Sequence, residues 1–137
     1  MNKIAVIIPA YNEKENLPKL IDEIKNYHSI AEIYVVDDSN ENFLEKHLVN
    51  KKDVNYFFRG KKLGRGSAVL YGLREALKKN FEIYIEMDAD FSHNPNELST
   101  KIEIFSKTNS DLLIASRYLK DSKIINWSIQ RRIFSRM

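Results

Sequence analysis

Apolar residues recur along this chain in two alternating rhythms. Ile4-Ala5-Val6-Ile7-Ile8 is a continuous, largely β-branched run closed by Pro9, the pattern of a strand buried on both faces, and it is predicted to be central in a parallel sheet. After a polar turn, Leu17, Leu20, Ile21 and Ile24 fall at helical spacing, so the next segment presents one apolar stripe to that sheet. The cycle repeats with a strand at Ile33-Tyr34-Val35-Val36, a short helix near Phe43 to Leu48, and a strand from Val54 to Phe58. A helix is predicted from about Gly66, with Ala68, Val69, Leu73, Ala76 and Leu77 as its apolar face, and Ile83 to Met87 supplies another strand. Asn94-Pro95-Asn96-Glu97 reads as a capping box with proline at the first helical position. The helix behind it carries Leu98, Ile102 and Phe105, and a fifth strand is expected at Leu112 to Ala115.

Strands alternating with helices over short links predict a three-layer α/β domain with a mostly parallel sheet. Its 137 residues fit one such domain. In these sheets ligands bind beyond the carboxyl ends of the strands. Those positions are polar here: Tyr11-Asn12-Glu13, Asp37-Asp38-Ser39, Arg59 to Arg65, Asp88-Ala89-Asp90 and Ser116-Arg117-Tyr118.

Composition narrows the chemistry only slightly. A net charge of +3 suits anionic small molecules or a lipid surface better than a nucleic-acid groove, and with no cysteine the chain has neither disulfides nor thiolate metal ligands. The apolar run after Met1 is too short for a signal peptide, and no stretch approaches a membrane span. A cytoplasmic protein, peripheral at the cytoplasmic face of a membrane, is the expectation.

Asp88 and Asp90 are two apart at the end of a strand, which sends both carboxylates to one face. Such a pair suits Mg²⁺ or Mn²⁺ with positions left open for phosphate oxygens, although an isolated Asp-x-Asp is more often a turn cap beside a solvated acid. Asp37 and Asp38 are adjacent, so at most one reaches the same cleft; either an Asx-type turn or a hydrogen-bond acceptor for a base or ribose accounts for them. The basic loop Arg59 to Gly66 leads into a helix N-terminus, where phosphate meets backbone amides, yet it lacks a P-loop ending. His93 is a secondary metal or phosphate candidate. From Ile124 to Arg136, Trp127 and aliphatic residues mix with Arg131, Arg132 and Arg136, which suits a membrane interface or an amphipathic helix docking on further protein equally well.

Taken in order, these pieces resemble the family 2 glycosyltransferases of GT-A fold, and within them the dolichyl- and polyprenyl-phosphate mannosyltransferases. The resemblance rests on Ile7 to Glu13 with Asn16-Leu17-Pro18, on Val36-Asp37-Asp38-Ser39, and on Lys62 with Gly64 to Ala68 and Gly72. Met87 to Pro95, and Ser116-Arg117-Tyr118 followed by Trp127, Arg131 and Ser135, complete it. It implies that Pro9, Ala10, Tyr11, Glu13, Val36, Asp37, Asp38 and Lys62 form the nucleotide-sugar site, with Asp88 and Asp90 holding metal and diphosphate. It further implies that Arg117, Arg131 and Ser135 receive the phosphate of a polyprenyl acceptor, with Asp88, Asp90, Arg117 and Arg131 as the catalytic set.

The implied reaction is inverting transfer of a hexose, mannose first, from GDP-mannose to dolichyl or polyprenyl phosphate. Its rivals are a UDP-glucose or UDP-N-acetylhexosamine transferase of the same family and a non-catalytic nucleotide-binding fragment. Asn40-Glu41-Asn42 replaces the family's Asp-Gly-Thr pattern after Ser39, which bears on the nucleoside contacts. The family's fold continues well past Arg136, so residues 1–137 are expected to be a C-terminally incomplete domain.

Overall fold

The computed structural model describes residues 3–27 and 31–116. In chain order the elements are β1 (Ile4–Ala10), α1 (Asn16–Tyr27), β2 (Ala31–Asp37), α2 (Glu45–Leu48), β3 (Val54–Phe58), α3 (Arg65–Ala76) and β4 (Ile83–Glu86), then a 3₁₀ turn (Pro95–Glu97) and α4 (Leu98–Lys107). The strands form one sheet in the order β3-β2-β1-β4, and every pair is parallel. Met1–Ser99 form one compact unit and Thr100–Met137 a second; the sheet lies wholly in the first.

β1 is central, as its unbroken apolar run predicts, and Ile4 to Ile8 are no more than 3% exposed. It runs two residues past Ile8, through Pro9 to Ala10. Pro9 is tolerated because alternate residues of a strand turn their N–H to the same side. Ile7 faces β4, accepting from Met87 N at 3.1 Å, so Pro9 faces that side too, where the ladder with β4 has already ended at Ile7–Glu86.

The two faces are covered differently. Ala5, Ile7 and Tyr34 pack with Ala76 of α3, joined by Leu73, Phe57, Phe81 and Tyr84. The fully buried Leu17, Leu20, Ile21 and Ile24 of α1, which touches β2, cover the other face. On α3 the buried stripe is Ala68, Gly72 and Ala76, small residues at a spacing of one turn, rather than the larger set expected from periodicity. A Cβ at Gly72 would lie 2.7 Å from Ile7 Cγ2, so the helix rests directly on the sheet and only glycine fits. Leu77 caps the helix and is 63% exposed, outside the core face where its spacing had placed it.

Asn94 caps the turn before α4 by accepting from Asn96 N at 3.0 Å, with Pro95 at the first position. The fifth strand expected at Leu112 to Ala115 is not a strand. Those residues have no ladder, and Leu112 and Ile114 are 73% and 76% exposed. An apolar run becomes a strand only where an edge offers it hydrogen bonds, which pattern alone cannot reveal. Among the described residues no helix is long and apolar enough to cross a membrane.

Candidate active site

Because every strand is parallel, the chain leaves the sheet at one edge after Ala10, Asp37, Phe58 and Glu86. A cavity of about 220 Å³ opens there, lined by Pro9, Ala10, Tyr11, Glu13, Asp38, Lys62, Gly64, Arg65, Ala68, Asp88, Ala89 and Asp90. The fold therefore brings together most of the expected donor-site residues. Val36 is not among them: it is fully buried, and its Cγ2 lies 3.3 Å from where a Gly72 side chain would start. Asp37 lines a separate cavity of about 150 Å³ with Asn12, Lys14, Ser39, Glu41, Phe43 and Leu44.

The adjacent aspartates thus diverge, as strand alternation requires. Asp37 Oδ1 accepts from Ser39 N and Oγ, its Oδ2 accepts from Tyr56 Oη at 2.8 Å, and Ser39 Oγ in turn accepts from Asn12 N at 2.8 Å. This relay holds the loop after β1 against the loop after β2. Burial and the hydrogen bond to Asp37 push the Tyr56 hydroxyl well above its ordinary pKa, so it stays a donor.

Asp38 organises the basic loop. Its Oδ1 pairs with Arg59 Nε at 2.5 Å, and its Oδ2 accepts from Leu63 N at 2.8 Å and Gly64 N at 3.0 Å. Burial alone would raise its pKa, but the Arg59 hydrogen bond and the two amides outweigh it and hold the carboxyl below its ordinary value. Arg59 also donates to Ser67 Oγ at 2.9 Å, while its Nη2 is buried without a partner among the described residues. Gly64 allows the turn into α3, with φ of 97°, where a side chain would be strained. Lys62 lies over the Tyr11 ring, 4.6 Å from its centroid. Glu13 precedes α1, accepting from Asn16 Nδ2 at 2.9 Å.

Asp88 and Asp90 share the larger cavity. Asp90 accepts from both the amide and the hydroxyl of Ser92, and Phe91 between them adopts φ of 61°, a costly conformation for a bulky residue that turns the chain sharply after Asp90. Burial would raise the Asp90 pKa, but the Ser92 bonds bring it below the ordinary carboxylate value. His93 Nδ1 accepts from Asp88 N at 3.2 Å and its Nε2 is 3.9 Å from Asp88 Oδ2, so the imidazole braces Asp88 and one of its nitrogens is already engaged. Among the described residues no three acids or histidines cluster as a complete cation cage. Two carboxylates in an open cleft do suit a hard divalent ion that completes its shell with phosphate oxygens and water.

Arg65 was the site residue least visible in the sequence. Its Nε and Nη2 donate to Asp88 Oδ1 at 3.0 and 2.8 Å, and Nη2 also donates to Glu86. The arginines of the loop were legible as a basic run, but not which of them reaches the acids. Arg117, Arg131 and Ser135, expected to serve the acceptor, lie outside the described residues.

Residues 5–137 match the glycosyl transferase family 2 domain. The chain is 40% identical over 139 residues to the dolichol-phosphate mannosyltransferase of Pyrococcus furiosus, covering 98% of this chain and 38% of that protein. It is 35% identical to the polyprenol monophosphomannose synthase of Mycolicibacterium smegmatis, covering 96% of this chain and 51% of that protein. With the undecaprenyl-phosphate mannosyltransferase of Micrococcus luteus the identity is 31%, covering 97% of this chain and 56% of that protein. The chain thus spans about half or less of the length of these relatives. The fold is similar, with a TM-score of 0.58 and 20% identity, to glucosyl-3-phosphoglycerate synthase from Mycobacterium tuberculosis, solved with Mn²⁺, UDP and phosphoglyceric acid; the match covers 79% of this chain and 40% of that one. This α/β architecture is that of the GT-A glycosyltransferases, and the chain belongs to glycosyl transferase family 2.

Proposed function

We propose that the protein transfers a hexose, mannose first, from GDP-mannose to the phosphate of a dolichyl or polyprenyl phosphate, with inversion and with Mg²⁺ or Mn²⁺ at Asp88 and Asp90. The observation that carries this reading is that Asp88 and Asp90 line one cleft with Tyr11, Glu13, Lys62 and Arg65 at the carboxyl edge of a parallel sheet. The relatives named as polyprenyl-phosphate mannosyltransferases support it, at 31% to 40% identity.

The Tyr11 ring offers a face for a nucleoside base, and Lys62 and Arg65 supply positive charge beside the diphosphate. When bound, the divalent ion neutralises the charge that grows on the departing diphosphate. An ionised oxygen of the acceptor phosphate attacks the anomeric carbon as the bond to the diphosphate oxygen breaks. No proton must be removed from that nucleophile, so positioning and charge stabilisation suffice without a general base. In this proposal Arg117, Arg131 and Ser135 receive the acceptor phosphate, and the basic, apolar segment around Trp127 rests at the cytoplasmic face of a membrane.

A second reading, a UDP-glucose donor, draws on the Mycobacterium tuberculosis synthase, which was solved with UDP-glucose and Mn²⁺. Calorimetric titration with GDP-mannose and UDP-glucose, each with and without Mn²⁺, separates the two. Tighter, Mn²⁺-dependent binding of GDP-mannose is expected. Preference for UDP-glucose would move the assignment to the second reading, and metal-independent binding of both would overturn the role given to Asp88 and Asp90.

A further inference from the structure

Arg65 is poorly placed for the helix it begins. It occupies the first turn of α3, where no acidic side chain offsets it and where the helix dipole disfavours a cation. A long side chain in that position, 56% exposed, could extend into water. Instead its guanidinium bridges Glu86 and Asp88, placing two donors on Asp88 Oδ1. The loop behind it is pinned by the bonds from Leu63 N and Gly64 N to Asp38, so Arg65 is delivered to the cleft by the fold. The Asp88 hydrogen bond, working against partial burial, raises the guanidinium pKa further above its ordinary value.

We propose that Arg65 is a resident counter-cation of the metal site: it occupies the Asp88 carboxylate until metal and nucleotide arrive together, when it exchanges Asp88 for the diphosphate. This rests on the reading of Asp88 and Asp90 as metal ligands given above. Two consequences follow from electrostatics. A divalent ion alone must displace Arg65 from Asp88 and leave it beside a like charge, so it binds weakly. A diphosphate supplies an alternative anion for the same planar fork, so metal and nucleotide each strengthen the other's binding by the same factor. Glu86, on the strand side of the guanidinium, retains a hold on Arg65 through the exchange.

The test measures Mn²⁺ binding from the loss of the free-ion electron paramagnetic resonance signal, with and without GDP, in the whole 137-residue chain. Arg65→Gln is expected to bind Mn²⁺ alone about fivefold more tightly than the parent, the upper end for a partly exposed ion pair, and to lose a similar factor in the enhancement GDP provides. Lys61→Gln is the control for a general field effect, because Lys61 is exposed on the same loop but does not line the cavity; its Mn²⁺ affinity without nucleotide should stay within about twofold. Equal gains in both variants, or no gain in Arg65→Gln while the parent binds Mn²⁺ with GDP, would overturn the role of Arg65 alone. Failure of the parent to bind Mn²⁺ even with GDP and with UDP would overturn both this proposal and the metal site on which it rests.

Discussion

Asp37 and Asp38 close β2 at 0% and 3% exposure, whereas Asp88 and Asp90 follow β4 in half-buried and exposed positions. Both pairs stand at the carboxyl edge of the same sheet, and both resemble ligand-binding aspartates in sequence. The buried pair is satisfied by the protein itself: Tyr56, Ser39, Arg59 and two loop amides take up its oxygens. The more open pair is served by a half-exposed arginine on Asp88 and by the amide and hydroxyl of Ser92 on Asp90. Carboxylates of one type therefore differ in how far the fold itself fills their lone pairs.

The largest effect that would break this contrast is on stability. Asp38→Ala leaves Arg59, whose side chain is 10% exposed, without its charge partner, and is expected to cost about 3–5 kcal/mol in urea unfolding. A cost near that of an ordinary surface substitution would show that Asp38 is not structural. The pH dependence carries the same sign. Asp38 has a depressed native pKa, so its contribution is complete above the ordinary carboxylate value of about 3.9 and fades as the pH falls through the depressed one. Unfolding midpoints of the parent should fall across that acid window, and an Asp38→Asn variant should lack this part of the decline.

Next in size is the converse at the exposed pair. Asp90→Ala should leave unfolding within about 0.5 kcal/mol of the parent while weakening Mn²⁺-dependent nucleotide binding by at least roughly 10- to 100-fold, the range for disturbed metal sites. Calorimetry on the folded variant reads both quantities, and unchanged affinity in the presence of metal would remove Asp90 from the site. Tyr56→Phe deletes the hydroxyl that donates to Asp37 and should cost about 1 kcal/mol of stability. Nucleotide affinity should be unaffected, since Asp37 lines a separate cavity. The smallest effect is expected for Ser92→Ala, which removes one of two bonds to Asp90 and should change nucleotide affinity by about threefold or less. A larger loss would mean that Asp90 depends on Ser92 for its orientation.

Much of this was legible in the sequence because it depended on local pattern. The run Ile4 to Ile8 required a strand buried on both faces, the spacing from Leu17 to Ile24 required a one-sided helix, and strand–helix alternation implied that their polar ends would meet at one edge. Two adjacent aspartates at the end of β2 had to part, whereas Asp88 and Asp90 reach one cavity from a turn beyond the end of β4 rather than by strand alternation. Where pattern misled, the deciding contact was distant. Leu112 to Ala115 looked like a strand but forms no ladder among the described residues, and Leu77 continued a helical stripe past the point where α3 ends.

What the sequence by itself determined was the order of elements as far as α4, the central place of β1 and the segments that carry the chemistry, since these follow from apolar runs and helical spacing within single elements. Only the tertiary structure decided which residues of those segments face one another. Which donors would meet Asp38, whether Val36 would face the cleft or α3, and which arginine of the loop would reach Asp88 all depend on the pairing of strands and the close seating of α3 at Gly72. Those are contacts between residues tens of positions apart, and a carboxylate's role is set by the donors that the fold brings to it.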